Sequence, residues 1–421
     1  MRLYLLPHYV TAMRGLDPEL RCGKQQKRGI FSACPNTKTD PRKGITMADT
    51  IGVGIIGANP DRSWALRAHI PALVALPQYT IQAVSTSRQE SARAAATKFN
   101  IPLAFNNHAE LVAHPAVELV VVTVKVPYHH ELVLAALAAG KAVYCEWPLG
   151  NGLHEAEEMA TLARRQKVPT VVGLQARAAP VINRVRDLVA QGYVGKVLST
   201  SVVASGLAYG DVVERPNAYL IDKRNGANLL TIANGHCLDA LCYCLGEFTE
   251  LSATLATRRP EVRVAETGEH LVATSPDQVV VCGVLHGGAV ASVHFRGGRS
   301  RGTNLLWEIN GTDGDLLVTG AGGHVQMLEL TLQGGHGQDT ALAPLAIPDA
   351  YRWAPPETPA GFPFNVAQVY VHLASDIRQG TSLCPTFDDA VIRHRMLEAI
   401  QVAADTGVRQ TYRADAEQRP N

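Results

Sequence analysis

A short apolar run that ends in glycine, at 50–57, is followed by apolar residues at helical spacing over 63–76. Further apolar runs at 80–84, 119–124 and 142–145 continue this alternation of strand-like and helix-like stretches. Parallel strands need long crossover connections, which are usually helices. The alternation therefore predicts βαβ units that build a doubly wound parallel sheet, an α/β domain of the Rossmann type.

The loop after the first strand predicts a phosphate site. The usual fingerprint in dinucleotide folds is G-x-G-x-x-G, and the amides of the helix that follows bind the pyrophosphate. Here Gly57 is the one clear glycine, Asn59 stands where the second belongs, and residues 60–62 lengthen the loop. Asn adopts the left-handed backbone more readily than most residues. We therefore expect the turn to form and Gly57 and Asn59 to bind the cofactor.

The tip of the second strand, Thr86-Ser87-Arg88, indicates which cofactor binds. In NAD-binding domains an acidic residue at this place binds the ribose hydroxyls, and this tip carries no carboxylate. Two hydroxyls and a guanidinium suit the 2′-phosphate of NADP, because Arg binds oxyanions through paired hydrogen bonds. We predict NADP, with NAD as the alternative. A second interpretation is that Ser87 and Arg88 only cap the helix that follows.

Four more residues lie just past strand ends. Lys125 and His129 follow the third apolar strand, and Glu146 and Trp147 follow the fourth. Ligands of doubly wound sheets bind at the carboxyl ends of the strands, so we predict His129, Glu146 and Trp147 as cofactor-binding residues. Lys125 has two interpretations. It is either a catalytic base near the nicotinamide, or a lysine that pairs with the cofactor phosphates or is exposed.

Five segments resemble the glucose–fructose oxidoreductase and inositol dehydrogenase (Gfo/Idh/MocA) family. They read EWPLG at 146–150, GLQARAAP at 173–180, LVAQGYVGKV at 188–197, ANGHCLD at 233–239 and INGTDGDL at 309–316. Within the family the likeness is greatest to the fungal galactose-regulon repressor branch. Family members typically have Glu-Lys-Pro where this chain has Glu146-Trp147-Pro148.

The resemblance implies two domains. These are an NAD(P)-binding Rossmann domain at 47–173 and a C-terminal α/β domain at 174–421, whose open, mostly antiparallel sheet lines the substrate cleft and often forms homo-oligomers. Apolar strands that follow one another over 279–318 without helices between them agree with antiparallel pairing. Residues 1–46 have little periodicity and an excess of basic residues, so we expect a disordered extension or a misassigned start before Met47.

The resemblance also implies a reaction, in which hydride passes from a sugar hydroxyl to nicotinamide while a lysine and a histidine take the proton. Trp147 replaces that lysine, and since indole accepts no proton we expect it to stack against a ring. His236 stands where the family has its histidine, and Asp239 lies one helical turn later. The alternative interpretation is that His236 has a purely structural role. Gln175 and Arg177, which resemble a strand-end pair of the repressor branch, are predicted with Asp239 to bind the substrate.

Two functions remain open at this point. The first is an NADP-dependent oxidoreductase that acts on a sugar or polyol, with His236 or Lys125 as the proton acceptor. The second is a catalytically silent sensor that binds NADP and a regulatory protein partner, which the repressor branch implies. We predict an NADP-binding oxidoreductase-like protein, because most of the family are enzymes.

The composition limits the classes of partner that the protein is expected to bind. The net charge of +1 gives no general attraction for nucleic acid or anionic membranes, and no apolar run reaches the length of a membrane span. The eight cysteines include no C-x-x-C pair, so we expect thiols in a reducing, cytoplasmic compartment and no metal site.

Overall fold

The structure is a computed structural model that describes residues 50–412. Its first sheet has six strands: β1 Ile51–Ile56, β2 Tyr79–Ser85, β3 Leu103–Phe105, β4 Leu119–Val122, β5 Ala142–Cys145 and β6 Thr170–Val172. They lie in the order β3-β2-β1-β4-β5-β6, and every neighbouring pair is parallel. Every residue of β1, β4 and β5 is buried, as strands covered by helices on both faces require. The predicted doubly wound sheet is confirmed.

Helices connect these strands. They are a π-helical turn at Ala65–His69 continued by α1 Ile70–Val74, then α2 Gln89–Phe99, α3 His108–Ala113, α4 His129–Ala138 and α5 Leu153–Gln166. The helix predicted over 63–76 is therefore shorter and begins with wider π-helical geometry. Pro71 lies at the change from π-helical to α-helical geometry and has no N–H to donate to the turn before it.

The second half of the chain builds a mixed sheet. After α6 Pro180–Ala190 come β7 Val197–Gly206, β8 Val212–Val213, α7 Gly235–Leu245, β9 Phe248–Ala256, β10 Glu261–Val264, β11 His270–Val272, β12 Gln278–Leu285, β13 Val290–Gly297, β14 Leu305–Gly311, β15 Gly314–Gly320, β16 Leu330–His336 and β17 Ala343–Pro344. Eight strands lie in the order β17-β16-β15-β14-β7-β13-β12-β9. Only β7 and β13 pair in parallel among them, which confirms the mostly antiparallel sheet. Strands β11, β10 and β8 form a separate small sheet.

The two faces of the large sheet differ. Along β14, Leu305, Trp307 and Ile309 are buried while the residues between them are half-buried, which is the period-2 pattern of a sheet covered on one side. The homo-oligomer that the resemblance implies stays a prediction.

The chain then returns to the first sheet through α8 Phe362–Gln379 and ends its regular structure with α9 Phe387–Thr406. Tyr370 and Leu373 of α8 belong to the same buried cluster as Ile51 and Val53 of β1. Helix α9 packs against α5 of the first half and β9 of the second, so it lies at the junction of the two halves. The predicted extension at 1–46 lies outside the described residues. No helix within 50–412 has both the length and the apolar character needed to cross a membrane.

Candidate functional site

A cavity of about 1100 Å³ lies at the carboxyl edge of the first sheet. The ends of β1, β2 and β4 form one wall through Gly57, Thr86 and Lys125, and the second half contributes Glu214 and Tyr219. The connections from β1 and β4 leave the sheet in opposite directions at this point, which is where doubly wound folds bind ligands. Two groups of predicted cofactor residues, Gly57 with Asn59 and Thr86 to Arg88, therefore meet the predicted catalytic residue Lys125 in one cavity.

The turn after β1 requires glycine at one position. Gly57 has a φ of +100°, and a Cβ there would lie 2.8 Å from Cγ1 of Val124. Asn59 holds the turn differently from our expectation, because its φ is not positive. Its side-chain Oδ1 instead accepts hydrogen bonds from the amides of Asp61 at 2.9 Å and Arg62 at 3.0 Å. Asn59 therefore orders the lengthened loop through its side chain.

The tip of β2 presents a free guanidinium. Thr86 Oγ1 lies 2.9 Å from the carbonyl of Arg88 and 2.6 Å from Ser91 Oγ, so this hydroxyl closes the turn. Arg88 is the N-cap residue of α2, yet no side chain caps the helix. The side chains of Ser87 and Arg88 are exposed, line the cavity, and form no hydrogen bond or ion pair within 50–412. The capping interpretation of Ser87 and Arg88 therefore does not describe how α2 begins.

Two side-chain pairs join the walls of the cavity. Arg62 NH1 lies 3.3 Å from Glu214 Oε2, and both side chains are exposed. Lys125 Nζ lies 4.6 Å from the ring centroid of Tyr219, at cation–π distance. The predicted Lys125 is thus on the cavity surface, while Arg62, Glu214 and Tyr219 were not among the predicted site residues.

Glu146 and Gln175 contact each other away from the cavity surface. Gln175 Nε2 donates to Glu146 Oε1 at 2.8 Å and to Oε2 at 3.0 Å. His69, at the end of the first π-helical turn, places Nε2 2.8 Å from Glu146 Oε1 and Nδ1 2.7 Å from the hydroxyl of Tyr370. Gln175 and His69 are buried. The carboxylate is thereby held in a network that spans the first half and α8.

Trp147 is buried beneath the second half. Its indole Nε1 donates to the carbonyl of Thr231 at 2.7 Å, and its ring lies 4.9 Å from that of His394. Thr231 belongs to a second π-helical turn, Leu229–Asn234, that leads into α7. Both π-helical turns thus contact the Glu-Trp-Pro segment, and such turns are frequent at functional sites. Trp147 does not line the cavity. Its ring packs against His394 and not at the cavity surface, where we expected it to stack on a ligand ring.

His129 is also removed from the cavity. Its Nδ1 lies 2.9 Å from the carbonyl oxygen of Pro148 and its Nε2 lies 3.0 Å from that of Val124. Burial lowers the pKa of this imidazole, although the two carbonyls act in the opposite direction. Through these two hydrogen bonds His129 connects the end of β4 to the segment after β5.

His236 lies in the first turn of α7 and is 3% exposed. Its Nδ1 has no hydrogen-bond partner, and burial together with the neighbouring His324 lowers its pKa to about 3. His324 is also buried with an unpartnered Nδ1, and burial lowers its pKa to about 4. Sequence reasoning did not find His324, because the Gly-rich run before it indicates only a turn and nothing in the sequence places that turn beside α7.

Arg177 and Asp239 bind each other. The Arg177 Nε atom lies 3.2 and 3.0 Å from the two carboxylate oxygens of Asp239, and NH2 lies 2.7 Å from Oδ1. Arg177 NH1 donates to Asp389 at 3.0 Å, and Arg393 approaches Asp239 at 3.7 Å. Both were predicted to bind substrate, but the structure places them in a buried ionic network that joins the end of β6 to α7 and α9.

No group of three or more His, Cys, Asp or Glu side chains among residues 50–412 is arranged to hold a metal ion. Cys145, Cys237, Cys242, Cys244, Cys282 and Cys384 are free thiols. Cys22 and Cys34 lie outside the described residues.

Comparison with known proteins agrees with this geometry. Residues 51–174 match the family described as "Oxidoreductase family, NAD-binding Rossmann fold", and residues 180–320 match "Gal80p, C-terminal domain". Dehydrogenase aclE of Aspergillus oryzae is 32% identical over 384 residues, which cover 88% of this chain and 100% of that protein. The chain belongs to the Gfo/Idh/MocA oxidoreductase family.

Members of this Gfo/Idh/MocA family with two different roles are similar to the chain. The galactose/lactose metabolism regulatory protein GAL80 of Saccharomyces cerevisiae is 28% identical over 424 residues, covering 89% of this chain and 94% of that protein. The structure of a super-repressor mutant of Gal80p from the same yeast has a TM-score of 0.77 at 25% identity, over 86% of this chain and 98% of that one. Levoglucosan dehydrogenase in complex with NADH and levoglucosan shares the fold, with a TM-score of 0.74 at 22% identity over 86% and 99% of the two chains. The predicted family is confirmed, and both dehydrogenases and Gal80 regulators are among the similar proteins.

The Arg177 network makes a testable contribution to stability. Replacing Arg177 with Met leaves the buried carboxylate of Asp239 without its paired partner, and breaking a buried pair in this way costs about 3–5 kcal/mol. Urea unfolding should show this loss in the free energy of unfolding, whereas Arg409→Met, at an exposed pair with Glu250, should change it by less than about 1 kcal/mol. A small effect of Arg177→Met would contradict the structural role.

Because several histidines are buried, we expect the folded protein to become less stable in acid. Burial lowers the pKa of His236 and His394 to about 3 and that of His324 to about 4, compared with about 6.5 in an unfolded chain. Between about pH 4 and about pH 6.5 these histidines bind protons in the unfolded chain but not in the folded protein. The free energy of unfolding therefore has its full value above about pH 6.5 and decreases as the pH falls toward 4.

The free energy of unfolding should fall with a slope of roughly 1 kcal/mol per pH unit for each histidine, measured by urea unfolding between pH 7 and 5. His394→Leu should reduce this slope, whereas His154→Gln, at an exposed histidine, should leave it unchanged. Stability that is constant or increases toward pH 5 would show that the imidazoles are protonated in the folded protein.

Proposed function

We propose that the cavity binds NADP(H). The observation that carries this proposal is the tip of β2, where the Arg88 guanidinium and the Ser87 hydroxyl are exposed in the cavity and unpartnered within 50–412. A carboxylate at this tip would bind the ribose hydroxyls of NAD and repel a phosphate. A free guanidinium beside hydroxyl groups suits a phosphate monoester.

The rest of the cavity agrees with a dinucleotide. Gly57 lets the backbone approach a ligand closely, and Asn59 holds the loop in place through two amide hydrogen bonds. Lys125 and Arg62 add positive charge along the wall, Arg62 paired with Glu214. A dinucleotide pyrophosphate is the ligand class for which such a strand edge is suited.

We further propose that the protein transfers hydride between NADP(H) and a sugar or polyol. The cofactor, when bound, supplies the hydride acceptor. His236 has an unpartnered, neutral imidazole nitrogen that can accept a hydrogen bond from a substrate hydroxyl. Lys125 holds a cation at the cavity surface over the ring of Tyr219. Full-length similarity to a dehydrogenase supports this function.

A second function is favoured by Trp147. Its indole is buried and bonded to Thr231 where the family enzymes have lysine, and the lowered pKa of His236 makes that imidazole a weak base. Together these features favour an NADP-binding regulator with little or no turnover, and the similarity to GAL80 supports that role.

Arg88 is the residue that distinguishes the two cofactors. Arg88→Glu removes a charged hydrogen-bond donor worth about 1.5–3 kcal/mol and places a carboxylate at the β2 tip. The dissociation constant of NADPH, measured by its fluorescence, should rise at least tenfold, while that of NADH should stay the same or fall.

Arg93→Glu is the matched control, because Arg93 is exposed on the same helix and does not line the cavity. It changes the net charge equally and should alter NADPH affinity less than twofold. Equal affinity of Arg88→Glu and the unchanged protein for NADPH would place the phosphate elsewhere.

Turnover separates the two functions. The unchanged protein, with NADPH binding verified in the same sample, is tested for reduction of NADP by sugars, polyols and sugar acids. Any reduction establishes the enzyme, and Lys125→Met should then abolish turnover without abolishing NADPH binding. Lys196→Met, at an exposed lysine far along the chain, should change neither quantity.

If NADPH binds but none of these sugars, polyols and sugar acids reduces NADP, the regulator remains as the function. Full turnover by Lys125→Met would remove Lys125 from the mechanism and leave His236 as the proton acceptor to be tested.

A further inference from the structure

The end of β3 lies beside the tip of β2, where the proposed cofactor site has its free guanidinium. The two strands are parallel neighbours, and their last residues, Ser85 and Phe105, lie opposite each other. The amide of Thr86 donates to the carbonyl of Phe105 at 3.2 Å, and Gln89 Nε2 donates to that of Ala104 at 3.1 Å. The residues that follow the two strands are therefore held next to each other at one corner of the cavity.

Asn107 fixes the turn that leaves β3. Its Oδ1 accepts a hydrogen bond from the amide of Glu110 at 2.9 Å, and its Nδ2 donates to Glu110 Oε1 at 2.6 Å and to Asn106 Oδ1 at 3.3 Å. His108 follows as the first residue of α3. The amino group of Asn106 and both ring nitrogens of His108 have no hydrogen bond or ion pair with any residue in 50–412.

Four side chains at this corner can contact one ligand. They line the cavity and have hydrogen-bond donors without a partner in the described part of the chain: Ser87, Arg88, Asn106 and His108. We call them the corner cluster. The acidic residues that line the cavity within 50–412, Asp61, Glu131 and Glu214, belong to other connections. The corner cluster therefore offers donors and positive charge to an anion.

The charge of a 2′-phosphate exceeds what Arg88 neutralises. A phosphate monoester carries about 1.5–2 negative charges at pH 7, and the guanidinium supplies one positive charge. Ser87 and Asn106 add donors without charge. His108 is the member of the corner cluster that can supply a second positive charge, because an imidazole changes its charge between about pH 5 and pH 8.

The charged groups around His108 are few. Helix α3 packs against β1, β2, β3 and α4, and neither β1 nor β3 carries an ionisable side chain. The ionisable groups at this end of the neighbouring elements are Arg88 and Glu90 beyond β2, Glu110 on α3, Lys125 beyond β4, and His130 and Glu131 on α4. His130 is paired with Glu158 at 2.7 Å. Arg88 opposes a positive charge on the His108 imidazole, whereas a phosphate bound between the two favours it.

We propose that His108 is a second ligand of the 2′-phosphate, which it binds as an imidazolium, and that the preference for NADP(H) over NAD(H) therefore increases as the pH falls. The inference rests on the proposed function, because it needs NADP(H) in the cavity. Binding of the phosphate promotes protonation of His108, so protonation promotes binding of the phosphate to the same degree. NAD(H) lacks this phosphate, and its affinity has no such dependence on His108.

The test measures the dissociation constants of NADPH and NADH for the full chain at pH 8.0 and pH 6.5, by the fluorescence of the two cofactors. The preference is the ratio of the NADH constant to the NADPH constant. It should be at least about threefold larger at pH 6.5, because most of the charge change of an imidazole lies in this interval. The phosphate itself takes up its proton near pH 6, and NADH corrects for changes that affect both cofactors.

Two variants assign the pH dependence to His108. His108→Gln keeps a donor but does not titrate, so the preference should stay at the value that the unchanged protein has at pH 8.0. His108→Lys holds its positive charge at both pH values, so it should give the higher preference at both and also serves if the Gln variant does not fold. His154→Gln is the control, because His154 is exposed and does not line the cavity; it should behave as the unchanged protein.

The outcomes separate this inference from the proposed function. A preference that is the same at both pH values in the unchanged protein would overturn the role of His108, and so would an equal pH dependence in His108→Gln. NADPH that binds tightly in either case would leave the cofactor proposal in place. A failure of NADPH to bind at both pH values would overturn both proposals.

Discussion

The hydrogen bond from the Trp147 indole to the Thr231 carbonyl is the contact on which the site geometry depends. It joins the edge of the parallel sheet to the π-helical turn that leads into α7, and α7 carries both His236 and Asp239. A π-helical turn departs from the regular ladder of backbone hydrogen bonds, so such a carbonyl is available to a side chain. A lysine at this position would place a flexible cation there, whereas the indole gives a rigid, uncharged junction between the halves.

The candidate site residues lie in two environments. Lys125, Arg88 and the loop at Asn59 lie on an open and charged surface. His236 and His324 lie in a closed, uncharged interior where burial lowers their proton affinity. The proposed cofactor site belongs to the first environment, and the histidine of the proposed reaction belongs to the second. The separation accommodates both an oxidoreductase with a weak base and a regulator that responds to its cofactor.

Much of the fold was predictable because each half has a clear local pattern. Alternating strands and helices predicted the parallel sheet, and consecutive apolar strands predicted the mostly antiparallel one. The β2 tip was predicted as a group, since those three residues are consecutive. The sequence was insufficient where long-range packing decides the role: Arg177 and Asp239 are 62 positions apart and neutralise each other, and His324 meets His236 only through the order of strands in the large sheet. No spacing rule reports such contacts, because they arise from how the two halves pack.

Helix α8 has a consequence for how the molecule is assembled. The first half is discontinuous along the chain, since β1 packs against side chains of Phe362–Gln379 and the segment between them builds the second sheet. A fragment that ended after β6 would expose the apolar surface that Tyr370 and Leu373 cover. During synthesis, therefore, the first half cannot complete its core until α8 has left the ribosome, after every strand of the second sheet has been made.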